Sequence, residues 1–159
     1  MSGYANIFDT HAHYEDTAFD GDRERLLTSV LPDGGVCGVI NCGSDLQTSE
    51  KSAGLAAGYP YIYTAAGIHP ECLSDVPPDW ESRLSSLLSR PKTVAVGEIG
   101  LDYHFKDGPP RGLQKEFFEK QIILAKNRGL PIIVHDRDAH GDTMEALKWQ
   151  KKSCGSACI

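Results

Sequence analysis

With 159 residues, 40% of them hydrophobic, the chain is long enough to fold as one domain with a real core. A net charge of −6 and a pI near 5.4 provide no basic stripe for gripping long duplex nucleic acid, so an anionic substrate would have to be drawn locally, by bound cations. No apolar run of membrane-spanning length, no basic-then-apolar leader and five scattered cysteines (Cys37, Cys42, Cys72, Cys154, Cys158) without a Cys-x-x-Cys read together as a cytoplasmic protein with reduced thiols.

The first predicted strand is Ile7-Phe8-Asp9-Thr10-His11-Ala12-His13. On an extended strand, side chains two apart point the same way, so His11 and His13 present paired imidazoles, a donor set for zinc, manganese or iron. The bland reading is two ordinary histidines on a half-exposed strand. Asp20 or Asp22 is placed to cap the next helix, with Leu26, Leu27, Val30 and Leu31 inward and Gly34-Gly35 as its stop. A second strand runs from Val36 to Asn41. Ser44 with Gln47 reads as a capping box for a helix to about Gly58. Tyr61 to Ala66 is a third strand, followed by the loop Gly67-Ile68-His69-Pro70. Asp79 is expected to cap a helix whose Trp80, Leu84, Leu87 and Leu88 share one face, ended by Pro91. Thr93 to Glu98 is a fourth strand, and 99–110 a loop. A helix from about Leu113 to Arg128 is expected to bury Phe117, Phe118, Ile122, Leu124 and Ala125, and Gly129 closes it. Pro131 opens a fifth strand ending at His135. A last helix, about Asp142 to Lys151, turns Met144 and Leu147 inward.

Strict alternation of strands and helices predicts an α/β fold with a parallel sheet. Doubly wound sheets and (β/α)8 TIM-type barrels share that pattern. The first strand lacks the Gly-x-Gly-x-x-Gly dinucleotide fingerprint, and chemically capable residues fall at the C-terminal ends of strands; both features favour the barrel. About five of eight strand-helix units are present, since a whole barrel takes roughly 250 residues. The expected domain is therefore a partial barrel over 1–152, with 153–159 as an unassigned tail. Its open edges, on the first and fifth strands, invite self-association.

Three strand ends carry ligand-type side chains: His11 and His13, then Glu98, then His135. Parallel strands bring these ends to one rim. A carboxylate among three imidazoles can complete one cation site or bridge two, and two cations about 3.5–4 Å apart polarise a phosphoryl oxygen. Taken singly, Glu98 reads as a salt-bridged carboxylate and His135 as a packing histidine. The four together favour a metal centre.

Four stretches carry a family resemblance: Phe8-Asp9-Thr10-His11-Ala12-His13, Ala66-Gly67-Ile68-His69-Pro70, Val96-Gly97-Glu98-Ile99-Gly100-Leu101-Asp102-Tyr103, and Pro131-Ile132-Ile133-Val134-His135-Asp136-Arg137-Asp138-Ala139. In these the chain resembles the TatD-type metal-dependent deoxyribonucleases of the amidohydrolase-like barrel superfamily. The resemblance implies a (β/α)8 barrel with two divalent cations (magnesium, manganese or zinc) that hydrolyses phosphodiester bonds and trims single-stranded DNA or 3′ ends. Carried over, His11, His13 and Glu98 hold the first cation, and Glu98 bridges to a second held also by His135. Glu98 is then central to catalysis, and His69 sits by the substrate phosphate, its alternative being a turn histidine before Pro70. Asp102 is expected to cap or brace the loop after the fourth strand, Arg137 to pair with a phosphate or with a neighbouring carboxylate, the structural role being favoured, and His104 and His140 to be exposed loop histidines. The family pattern continues with a histidine on a sixth strand and a later aspartate; here the residues from about Trp149 look unlike it, which implies a truncated or altered reading of a longer protein. Two other functions stand beside the nuclease: a catalytically impaired partial barrel serving as an interaction module, and an amidohydrolase-like enzyme acting on C–N or C–O bonds.

Overall fold

Five parallel strands hydrogen-bond in the order β1-β2-β3-β4-β5: β1 Ile7–Ala12, β2 Val36–Cys42, β3 Ile62–Ala66, β4 Thr93–Asp102 and β5 Ile132–Arg137. The computed structural model describes residues 5–152, with side chains through Lys148. A doubly wound sheet reverses its strand order at a switch point; this one never does, which is how a barrel winds. Right-handed crossovers in an unreversed order put the connecting helices on one face.

The connection after β1 is a 3-10 turn (Thr17–Phe19) and a helical run made of α1 (Arg23–Arg25), a π-helical turn (Leu26–Val30) and α2 (Leu31–Asp33). The π turn breaks the 3.6-residue phase, so the expected four-residue stripe is kept only in part, with Leu26 half-buried and Leu31 packed against the core. Leu27 is fully buried, whereas Val30 is exposed. Neither candidate aspartate caps it with a side-chain hydrogen bond: Asp22 stands at the cap position, and Asp20 pairs instead with Arg23 at 2.7 Å. Helix α3 (Leu46–Gly58) starts on a capping box one residue away from the expected one. The Asp45 side chain accepts from Thr48 N at 2.6 Å, and Thr48 Oγ1 accepts from Asp45 N at 2.9 Å. Helix α4 (Trp80–Leu87) buries all four residues of its expected face, though Asp79 makes no side-chain cap bond. In α5 (Arg111–Arg128) Phe118, Ile122 and Ala125 are buried, Phe117 and Leu124 partly so. Gly129, in the left-handed region at φ 64°, ends it as expected. In α6 (His140–Lys152) the phase runs through Ala139, Thr143 and Ala146, which are buried. Met144, expected inward, is exposed.

The largest departure is in β4, which continues four residues beyond Glu98. Val96 pairs with Ile132 and Ile99 with Val134, so β4 advances three residues while β5 advances two. This bulge at Gly97 and Glu98 switches the face parity, and Val96, Ile99 and Leu101 all join the helix-side core. Simple alternation breaks there, which is why the sequence ends the strand early. Past the bulge Gly100 lies opposite His135 with φ 149°, and a Cβ at that position would run into the His135 carbonyl oxygen.

The helix side of the sheet carries the bulk of the core. Phe118 packs with Leu84, Val96, Ile99, Leu101 and Ile122, and Leu27 packs with Val39, Ala56 and Ile62. Truncating Phe118 to alanine would cost about 3–5 kcal/mol. The opposite face is thin, made of Cys42, Ala65 and Ala95 with Ile40 and Ile133. The candidate rim lies at the C-terminal ends of the strands, which the parallel ladder holds side by side. Cys37, Cys42 and Cys72 are free thiols. Cys154, Cys158 and the rest of the 153–159 tail lie outside the described residues. Among the described residues no helix is long and apolar enough to cross a membrane.

Candidate metal centre

The rim brings His11, His13, Glu98 and His135 together. His11 and His13 face each other through their Nε2 atoms at 3.1 Å. Glu98 Oε2 lies 3.1 Å from His11 Nε2 and 3.9 Å from His13 Nε2. Its other oxygen, Oε1, is 3.2 Å from His135 Nδ1. Glu98 is therefore the shared member of two groups whose ligand atoms converge: His11, His13 and Glu98, and His69, Glu98 and His135.

The ring orientations follow from their second partners. His13 Nδ1 lies 2.8 Å from the Cys42 carbonyl oxygen. A carbonyl only accepts, so that nitrogen donates, and neutral His13 keeps a lone pair on Nε2. A backbone carbonyl holding the far nitrogen is the usual way a ligating imidazole is oriented. His135 Nε2 is held at 2.8 Å by Asp102 Oδ2, which leaves Nδ1 toward Glu98. Lone pairs on His11, His13 and Glu98 thus converge at 3.1–3.9 Å. Donors about 2.0–2.2 Å from one cation stand at such mutual separations, so the residues fit a divalent metal.

The charges are mutually dependent. Burial alone would push the Glu98 carboxyl up, but the His135 hydrogen bond and the neighbouring imidazoles outweigh it and hold it below its ordinary range. Asp102 behaves likewise, its burial outweighed by His135 and by the His104 N–H. The Glu98 hydrogen bond, working against burial, raises His135. The Glu15 side chain does the same for His13. His69 goes the other way: burial, then the charge of His135 4.2 Å away between ring centroids, lowers it to about 4. It stays neutral at ordinary pH.

Several residues around the rim went unseen in the sequence. Asp102 does brace its loop, accepting from His104 N at 2.9 Å, but its second oxygen orients His135. Two buried glutamines seven apart on α5 each bond both backbone polar groups of one residue. Gln121 accepts from Ile68 N at 2.8 Å and donates to Ile68 O at 3.0 Å, fixing the residue before His69. Gln114 accepts from Asp102 N and donates to Asp102 O, both at 2.8 Å. Their signal was available: polar residues in phase with Phe118 and Ala125 on an inward face. After β1, Arg23 donates through Nε to Tyr14 O and through Nη2 to Asp16 O, both at 2.6 Å. Asn41 ties the same loop to β2 through Glu15 and Tyr14 N. Arg137 makes no ion pair among the described residues; its guanidinium lies over the Phe105 ring. His104 and His140 are exposed, as expected, and pair with Asp138 and Asp136.

A family model described as TatD related DNase matches residues 8–159, a range that takes in the stretch from about Trp149 that was expected to depart from the family. An uncharacterized metal-dependent hydrolase of Bacillus subtilis, YabD, is 38% identical over 142 residues, covering 89% of this chain and 55% of that protein. A protein of Dickeya dadantii named 3′-5′ ssDNA/RNA exonuclease TatD is 32% identical over 142 residues, covering 89% of this chain and 53% of that protein. Among solved structures, the TatD homologue YjjV of Escherichia coli K12 superposes with a TM-score of 0.82 at 34% identity, covering 90% of this chain and 55% of that one. The chain spans about half the length of the curated relatives it matches.

Proposed function

The chain belongs to the TatD-related DNase family, and we propose that its rim is a divalent-metal-dependent site for hydrolysing phosphodiester bonds in single-stranded DNA, trimmed from a 3′ end. The observation that carries this reading is Glu98, whose two oxygens reach His11 at 3.1 Å and His135 at 3.2 Å at once. One carboxylate shared between imidazoles of β1 and β5 is the arrangement a pair of cations needs. Cations bound there supply Lewis acidity toward phosphoryl oxygens and activate water.

The chain's own residues divide the rest of the work. His11, His13 and Glu98 would hold one cation, and Glu98 with His135 would hold another. Asp102 keeps the proton of His135 on Nε2, so that Nδ1 can ligate. His69 is better suited to substrate than to metal. Its Nδ1 accepts from Glu71 N at 3.2 Å, so the neutral ring carries its proton on Nε2. Ligation through Nε2 would move that proton to Nδ1, against the Glu71 N–H. An Nε2–H is instead a donor for a phosphate oxygen, aligned before the charge develops there.

Incubating single-stranded DNA with the protein and magnesium or manganese tests this. Nucleotide release that is lost in the His11→Ala, His13→Ala double variant is the expected result. Equal release by both proteins would sink it. Cleavage of an amide or lactone panel in preference to a phosphodiester would favour C–N or C–O chemistry on the same scaffold. The free thiols of Cys37, Cys42 and Cys72 support a reducing, cytoplasmic setting. Exposed Ile7 and Phe8 on the outer strand β1 support self-association through that edge, which would appear as a dimer in light scattering.

A further inference from the structure

Beyond the metal centre, the loops after β4 and β5 run side by side and are joined at three successive positions. Tyr103 N donates to Arg137 O at 2.9 Å. His104 Nδ1 pairs with Asp138 Oδ2 at 2.9 Å. The Arg137 guanidinium lies over the Phe105 ring, 5.0 Å from its centroid. The metal centre requires none of these contacts.

Together they hold two groups in unusual states. Phe105 is 50% exposed, although a phenyl ring in water forfeits its burial energy. Arg137 makes no ion pair among the described residues; its neighbours Asp136 and Asp138 pair with His140 and His104, and its charge also acts on the Asp102 carboxyl. Arg137 is also two residues beyond His135 on β5, so both side chains leave the strand on the same side, about 6.6 Å apart along it. Phe105 follows Asp102 by three residues, and Asp102 grips His135. The pair therefore borders the metal centre directly.

We propose that Phe105 and Arg137 form a nucleotide subsite flanking the metal centre, in which the open face of the ring stacks an unpaired base and the guanidinium takes the adjoining phosphate. The proposal rests on the nuclease reading and specifies its substrate. Arginine stacked on an aromatic face still presents its N–H edge, the geometry that phosphate oxygens accept. Stacking on an aromatic ring is indifferent to base identity, but it needs a base free of its duplex neighbours. In a chain of net charge −6, an arginine that makes no ion pair among the described residues is a local foothold for a polyanion.

The test is binding of a short thymidine oligonucleotide to the full chain in calcium, followed by fluorescence anisotropy. A strand of the same length made of abasic sugar-phosphates is the control. Phe105→Ala should weaken the thymidine strand by about 5- to 100-fold and leave the abasic strand unaffected, while Phe105→Trp retains binding. Arg137→Gln should weaken both strands and reduce the log–log salt slope by about 0.7. A uridine oligonucleotide should respond as thymidine does, since the stack ignores the 2′-hydroxyl. Phe105 is exposed, so its variants should melt with the parent protein. Unchanged thymidine affinity in Phe105→Ala, or an equal loss for intact and abasic strands, overturns the subsite while nucleotide release by the parent protein leaves the nuclease reading standing. A parent protein that neither binds nor cleaves either strand overturns both.

Discussion

Asp102 Oδ2 holds His135 Nε2 at 2.8 Å, and this bond decides which nitrogen of His135 faces Glu98. Both residues lie beyond the β4 bulge, in register with each other's strands: Gly100 stands opposite His135 and Asp102 opposite Arg137.

Replacing Asp102 with asparagine keeps the shape but alters the proton logic. If the new amide donates, His135 must accept on Nε2 and carry its proton on Nδ1, the nitrogen required for a cation. Partners of this kind usually change metal affinity by about 10- to 100-fold. Asp102→Asn should therefore weaken zinc or manganese binding, measured by titration calorimetry, by about that factor. Unchanged affinity would mean that the Asp102 carboxylate is not what sets the state in which His135 meets a cation.

His69 offers the opposite split. Its Nδ1 contact with Glu71 N assigns the proton to Nε2. His69→Ala should leave metal affinity within about threefold of the parent, yet lower kcat/KM on single-stranded DNA by about 10²-fold, the usual cost of losing one donor to a developing oxyanion. A parallel fall in metal affinity would make His69 a ligand instead.

How much of this was legible differs by element. Parallel strands alternating with helices follow from local periodicity, whereas the unreversed order was favoured only by the missing dinucleotide fingerprint and by the donor residues gathered at strand ends. The convergence of His11, His13, Glu98 and His135 was legible because they are donor types at strand ends, and a parallel sheet collects strand ends. The extent of β4 was not, because the bulge at Gly97 and Glu98 inverts the in–out pattern on which a strand is recognised. Asp102 consequently read as a loop residue. Val30 and Met144 were misplaced for a related reason. A π turn in one case, and a phase set by Ala139, Thr143 and Ala146 in the other, shift a helical face by one residue, and composition alone does not reveal it.

The pH dependence of metal binding has a definite sign. Without metal, Glu15 raises the pKa of His13, and Glu98 raises that of His135, above the ordinary 6.5. Each ring must release its extra proton before it can ligate. Cation affinity should therefore climb with pH and continue to climb above 6.5, with proton release detectable as a buffer-dependent enthalpy. Glu98 is held below its ordinary range and is already ionised through that window. Affinity that levels off below pH 6 would show that neither imidazole competes with the metal for a proton.

Gln121 tests whether the scaffold behind His69 matters as much as the rim. The side chain is fully buried between α5 and the loop after β3, and its amide satisfies both the N–H and the C=O of Ile68. Leucine has nearly the same volume, so Gln121→Leu opens little space but removes both partners. Two buried backbone groups are then orphaned, each at a cost of about 1–3 kcal/mol. The expected result is a loss of at least about 2 kcal/mol in urea unfolding, since no neighbouring side chain is seen to take over either group. The loop should also loosen, so the variant should show a raised KM for DNA together with unchanged affinity for metal, because His11, His13 and Glu98 reach the rim from other strands. Gln121→Glu separates the two effects: a carboxylate can still accept from Ile68 N, but when ionised it meets the Ile68 carbonyl as a second acceptor. Its stability should fall further as the pH rises through the range in which that buried carboxyl ionises. Equal stability of all three proteins would mean that the Ile68 peptide finds other partners and that the clamp is dispensable.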